Sequence, residues 1–269
     1  ILDMLFVIIF DMGVAGVAIA TVISKVLNLV LVLIASFKLV KAKEDPHRLP
    51  QKEVFKQIIQ IGLPSALESA LYNFAMTLMM RFLNQMDPDG FNVTARSYTA
   101  QITHFAFAIG AGLAQANAIM TGWRVGSKEY EACDKGTKKA ALIGIAVAIV
   151  VEATFAICAH PIMSLFTDNP EMVDLVQKLL AIDIFLEIGR VSNLVFGNAL
   201  KTSGDALYPV IIGVIFMFLC AVCGSYYFGI HLNLLVVGAY IALALDECTR
   251  AVAMFIRWQS GKKKKKSVV

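Results

Sequence analysis

Apolar residues along this chain fall in long runs, separated by short stretches rich in Gly, Pro, Asn, Asp and Lys. Crossing a bilayer as a helix takes about 20 mostly apolar residues. The first complete run is Val14–Val40, followed by Phe55–Leu83, Val93–Gly122, Ala140–Ala159, Glu171–Leu200, Leu207–Ile230 and Leu234–Trp258. Ile1–Phe10 is too short to span and reads as the tail of a helix whose beginning lies upstream. Between the runs lie turn signals: Asp87-Pro88-Asp89-Gly90, Asp168-Asn169-Pro170 and Thr202-Ser203-Gly204-Asp205. Gly126–Lys139 is polar and is expected to form a short surface helix. The pattern predicts an all-α, polytopic transmembrane helix bundle.

Composition agrees. Hydrophobic residues make up 58% of the 269 positions and charged residues 16%, below the ~25% charge of ordinary soluble domains. A lipid-facing surface tolerates outward apolar side chains. No soluble scaffold with a basic face is visible, which argues against nucleic acid as a partner. The five cysteines include a C-x-x-C, Cys220 and Cys223, inside an apolar run with no second ligand pair, so they read as small apolar filler. His47, His104, His160 and His231 are scattered and H-E-x-x-H is absent, which leaves little basis for an enzyme or a metal site.

Basic residues alternate between loops. The 41–56 segment, the stretch from Arg124 to Lys139, Lys201, and Arg257 with the five lysines at 262–266 all fall on one side. Arg81, Arg96 and Lys178 are exceptions. The positive-inside rule places that side, and the C-terminus, in the cytoplasm. Trp123 and Trp258 then mark the cytoplasmic boundary, and Tyr226, Tyr227 and Phe228 the opposite one. Membrane lipid is the expected surroundings, and the lysine tail is a topology anchor.

The charges within the runs carry the chemistry. Lys25, Glu68, Glu152, Asp183, Glu187, Arg190, Asp246, Glu247 and Arg250 would each cost roughly 2.5–3.5 kcal/mol facing lipid at a helix centre, so they must face the bundle interior. At ~1.5 Å rise per residue, Glu68, Glu187 and Asp246 lie near the midplane, where secondary transporters place substrate and coupling ions. Asp183, Glu187 and Arg190 share a face at i, i+4 and i+7, and Asp246 and Arg250 are i, i+4 neighbours. Glu187 with Arg190, and Asp246 with Arg250, can equally be structural pairs. Glu68 has no basic residue within a turn and reads as unpaired. Glu152 also lacks a local partner, on a run with no other polar face. On the Val93–Gly122 run, Tyr98, Gln101, Ala108, Gly112 and Gln115 form a polar or small-residue stripe.

Four motifs, in order, carry a family resemblance: GVAGVAIATVIS from Gly13, IGLPSALESALYN from Ile61, GWRVGSKEYEAC from Gly122 and GNALKTSGDALYP from Gly197. Together they resemble helices six, seven, eight and ten of the MATE (multidrug and toxic compound extrusion) transporters. The resemblance implies two six-helix lobes. Residues 1–40 would close the N-terminal lobe (part of helix five, and helix six). Residues 41–56 would be the cytoplasmic linker, 57–261 the C-terminal six-helix lobe and 262–269 a polybasic tail. The rest of the N-terminal lobe would be a partner belonging to the same protein.

It further implies export of cationic or amphipathic small molecules by antiport with H⁺ or Na⁺, without an organic cofactor. The family's helix-seven acid maps approximately onto Glu68, although it often lies one turn later, at Leu71. Its helix-ten aspartate falls at Gly189, where this chain instead has Glu187 and Arg190 nearby. The ion-coupling candidates are therefore Glu68, Glu187 and Asp183. The candidate cavity network is Tyr72, Asn73, Gln101, Arg190, Asn193, Asp246 and Arg250. A flippase for lipid-linked precursors is the alternative, and it would require a large basic cavity.

Overall fold

The computed structural model describes residues 2, 5–39, 52–87 and 89–261. Most of the 41–56 segment and the lysine tail lie outside the described residues. Two compact units are present, Ile1–Lys52 and Glu53–Val269. The first contains a short wide-turn segment, Leu5–Ile9, and helix α1, Gly13–Leu39, whose side chains are largely exposed.

The second unit is a helical bundle: α2 Lys52–Met86, α3 Phe91–Gly126, α4 Tyr130–Ile157, the short α5 Ala159–Met163, α6 Pro170–Thr202, α7 Leu207–His231 and α8 Leu235–Gln259. The expected separate surface helix before α4 is not formed. The helix runs unbroken from Tyr130, because Cys133 and Thr137 on its first turns are buried against the bundle. Within α7, Met217–Val222 and Ser225–His231 are wound in wide i→i+5 turns.

α6 shows how local chemistry sets an element. Asn169 caps it, its side-chain oxygen accepting from the backbone N–H of Glu171 at 3.0 Å, while Pro170 fills the first helical position, which needs no donor. It ends at Ser203 and Gly204, the latter at φ 90°. The helix is the hub of the bundle, packing against α3, α4 and α8. Small residues permit the close approaches. A Cβ on Gly189 would stand 2.7 Å from the backbone nitrogen of Cys248 on α8. Cβ atoms on Gly110 of α3 and Gly144 of α4 would each stand 2.6 Å from Val191. Contacts of this kind dominate helix packing where lipid competes for apolar surface.

Among the described residues, four helices are long and apolar enough to cross a membrane: Gly13–Phe37, Phe91–Gly126, Tyr130–Ile157 and Leu207–His231. Phe105, Trp123, Leu142, Val150, Leu219 and Ile256 stand exposed on the bundle's outside, more apolar surface than a soluble monomer shows. The long helices that fall short in hydropathy, α2, α6 and α8, carry most of the interior charges, Arg96 on α3 and Glu152 on α4 being the others. Trp258 stands at the end of α8 but turns into the bundle rather than outward. It is fully buried, and its indole N–H donates to Asp134 at 2.9 Å.

The core holds two large apolar clusters and a small third one of Ala75, Met217 and Val222 between α2 and α7. One large cluster gathers Met79, Leu83, Met163, Leu179, Leu186 and Val236. The other gathers Val191, Val195, Phe196, Leu200, Met254 and Trp258. On α6 the gap between them runs from Leu186 to Val191, and on α8 from Ala244 to Met254. Asp246, Glu247 and Arg250 of α8, and Glu187 and Arg190 of α6, lie in those gaps.

Candidate functional site

The layer between the two apolar clusters is a chain of ion pairs joining α6 to α8. Arg190 Nη1 donates to Glu187 Oε2 at 2.8 Å, and Arg190 Nε lies 3.8 Å from Glu247 Oε1. Arg250 Nη2 reaches Glu247 Oε1 at 3.0 Å and also bonds Asp246. Asn193 Nδ2 donates to Glu247 Oε2 at 3.0 Å. Three carboxylates thus share two guanidinium groups, one negative charge in excess if all are ionised (2 − 3 = −1). Glu187 is 0% exposed, and its Oε1, like Oδ1 of Asp246, has no hydrogen-bond partner among the described residues. Both local pairs expected from the spacing exist, joined by Glu247, which the sequence reading left out of its site.

Two cavities flank this layer. The larger, about 470 Å³, is lined by Glu68, Tyr72, Asn73, Arg190, Asn193 and Lys201, with Glu247 and Arg250 on its wall. The smaller, about 200 Å³, is lined by Arg96, His104, Asp183 and Tyr240 and shares Tyr72, Phe107, Arg190 and Glu247 with the first. The Arg190 guanidinium lies over the Phe107 ring, 5.6 Å from its centroid.

Glu68 requires a correction. It is paired with Lys201 of α6 at 2.6 Å, across 133 residues of sequence. Lys201 is therefore a cavity residue rather than only a loop cation. Since Lys201 lies one residue from the end of α6, Glu68 sits near that face of the bundle and not at the midplane. Its Oε1 also neighbours Gly213, about 9 Å into α7. Depth measured from the start of α2 misled, because α2 extends beyond its neighbours. The pair is not sealed: Glu68 and Lys201 side chains keep 25% and 26% exposure toward the cavity.

Gln101 is a second correction. It lines a separate apolar cavity of about 460 Å³ with Tyr98, Phe105 and Phe155. The face α3 turns toward the ion pairs is instead Arg96, Thr103 and Phe107. The polar stripe was the wrong guide, because the buried face of α3 is set by Ala95, Thr99, Ala106, Gly110 and Ala114. Arg96 and Lys201 are site residues that the sequence reading missed. Their signal was a basic residue at a run's edge, Arg96 just inside and Lys201 just outside, read as topology.

Glu152 is fully buried and neither of its oxygens has a hydrogen-bond partner among the described residues. Gly144 packs on Val191, and α4 runs opposite to α6, so eight residues further along, Glu152 comes level with Asp183.

Residues 64–227, more than half of the chain, match the MatE family. The chain belongs to the MatE family. MatE relatives include the "Uncharacterized transporter YisQ" of Bacillus subtilis, 30% identical over 263 residues, 95% of this chain and 57% of the relative. The "Probable multidrug resistance protein NorM" of Thermotoga maritima is 23% identical over 96% of this chain and 56% of its own length. This MatE chain thus spans just over half the length of these curated relatives.

Solved MatE-type structures share its fold. A eukaryotic MATE transporter superposes with a TM-score of 0.84 at 17% identity, over 99% of this chain and 60% of that one. A MOP superfamily transporter from Pyrococcus furiosus superposes with 0.83 at 20% identity, over 98% and 60%. The bundle is that of an integral membrane transporter family.

Proposed function

We propose that this chain forms the C-terminal lobe of a secondary transporter that exports amphipathic or cationic small molecules in exchange for H⁺ or Na⁺. The observation that carries this reading is the ion-pair layer Glu187–Arg190–Glu247–Arg250–Asp246, buried between two apolar clusters yet bordering two cavities. A buried charge network purely for cohesion is a weak source of stability. One that touches open space can exchange ions and ligands.

Glu187, Asp183 and Glu68 are the coupling carboxylates in this reading. Glu187 carries an oxygen free to hold a proton or to join a cation, and Asp183 carries another on the cavity wall. Glu68 exchanges its Lys201 partner for an ion. The chain's basic loops and C-terminus face the cytoplasm of the cell membrane by the positive-inside rule. The two cavities are lined by three acids (Glu68, Asp183, Glu247) and four bases (Arg96, Arg190, Lys201, Arg250), near balance rather than the basic wall a lipid-diphosphate flippase requires.

The test is efflux from proteoliposomes carrying the intact transporter, with Na⁺ and pH gradients imposed separately. Glu187→Gln is expected to lower gradient-driven efflux at least tenfold, while Trp123→Phe, on the exposed surface, leaves it unchanged. Retention of driven efflux by Glu187→Gln, Asp183→Asn and Glu68→Gln alike would sink the coupling assignment.

A further inference from the structure

Four charged residues stand on the wall of the smaller cavity: Arg96, Asp183, Arg190 and Glu247. Arg190 and Glu247 are matched to each other and to their neighbours in the ion-pair layer. The other two are not. The only polar contact of Arg96 among the described residues is from Nη1 to the Met80 sulfur at 2.6 Å, with no carboxylate within ion-pair distance. Asp183 is 2% exposed, its Oδ2 has no hydrogen-bond partner and no basic side chain among the described residues pairs with it. One cavity thus presents a positive pole and a negative pole, neither held in an ion pair among the described residues: Arg190, already bonded to Glu187, acts on Asp183 only from beyond contact distance.

The poles are set apart along the bundle. α3 and α6 run in the same direction, with Gly110 against Val191 and Gly122 against Thr202. That register puts Thr103 level with Asp183, and Arg96 seven residues earlier, so the two attachment points are separated by about 10 Å along the axis. The long arginine side chain shortens the gap. Tyr72, Phe107, Tyr240 and Leu243 line the space around them. Its volume of about 200 Å³ is below the ~300–1,000 Å³ of pockets for drug-sized ligands, which sets the ligand, or the part of it that enters, at roughly amino-acid size.

We infer that this cavity receives a zwitterion: a small aromatic or amphipathic compound carrying both an amine and an acidic group. A ligand with one charge satisfies one pole and leaves the other, buried Asp183 or half-buried Arg96, without an ion-pair partner, the costlier arrangement in a low-dielectric site. A zwitterion places its acidic group on Arg96 and its ammonium on Asp183. The inference rests on the transport reading only in naming what is carried; the binding itself needs no gradient.

Three probes that share an indole ring separate the possibilities: tryptophan (zwitterion), tryptamine (cation) and indole-3-propionate (anion). Calorimetric titration of the intact transporter in lipid nanodiscs is expected to give tryptophan a Kd at least tenfold below either of the others. Arg96→Gln is expected to bring tryptophan to the affinity of tryptamine, and Asp183→Asn to that of indole-3-propionate. Arg96→Lys, which keeps the charge, is expected to keep the preference and serves should Asp183→Asn fail to fold. Equal affinity for tryptamine and tryptophan, no binding of any of the three, or tryptophan binding unchanged by Arg96→Gln overturns the inference. Intact selectivity without driven efflux would count against the transport reading alone. Driven efflux without selectivity would count against this inference alone.

Discussion

Glu247 on α8 accepts from Asn193 on α6 at 3.0 Å through one oxygen and holds Arg250 at 3.0 Å through the other. It is the residue through which two local pairs, one on each helix, become a single buried network. Removing a basic member should therefore cost more than removing an acidic one. Arg250→Met leaves Asp246 and much of Glu247 unmatched in the core and is expected to destabilise by about 3–5 kcal/mol. Adding Asp246→Asn and Glu247→Gln to that variant should recover a large part of the loss. Thermal unfolding in one detergent measures both; no recovery in the triple variant would show that packing, not charge, is what Arg250 supplies.

Glycine substitutions should sort by what their Cβ meets. At Gly189 the obstacle is backbone of the neighbouring helix, which cannot turn aside, so Gly189→Ala is expected to cost about 1–3 kcal/mol. At Gly112 nothing lies within 4 Å, and Gly112→Ala should be neutral or stabilising by up to about 1 kcal/mol through helix propensity. The two variants differ by one methyl group each, so comparing their unfolding midpoints isolates the site.

Much of the fold was legible because hydropathy and turn chemistry are local. Asn169-Pro170 and Ser203-Gly204 mark the ends of α6 in sequence as they do in space. The pairs Glu187–Arg190 and Asp246–Arg250 were legible too, since helical spacing alone places them together. What could not be read was the relative level of helices. Glu68 and Lys201 meet because α2 overshoots the end of α6, and nothing within a turn of either residue reports that. Gln101 failed for a rotational reason: a helix with polar residues on two faces does not announce which one its small residues bury.

The Glu68–Lys201 pair separates activity from stability. Both side chains are about a quarter exposed to the cavity, so their coupling in a double-mutant cycle on unfolding should be at most about 1 kcal/mol. In transport the expectation is opposite: Glu68→Gln and Lys201→Met should each reduce driven efflux severalfold. A large stability coupling with unaltered efflux would make the pair a structural tie.

At the far end of α2, Asp87 accepts hydrogen bonds from the backbone and side chain of Asn92, the latter at 2.9 Å. These bonds, chiefly the backbone one, hold its carboxyl below the usual aspartate range. With the folded value depressed, the stabilisation is present above the unfolded pKa and is lost as pH falls through the folded one. Asp87→Asn should therefore lower the unfolding midpoint slightly at pH 7, and wild type and variant should converge in acid. A gap that persists at pH 2 would assign the effect to something other than the charge.

The wide turns of α7 decide where this lobe is able to flex. α6 and α8 approach backbone to backbone at Gly189 and are stitched by five charged side chains, contacts that oppose sliding of one past the other. α7 is the loosely wound strut beside them, and under-wound stretches are where helices kink. Gly213 of that strut lies against Glu68, so any hinge movement of α7 changes the pressure on the Glu68–Lys201 clasp before it disturbs anything deeper.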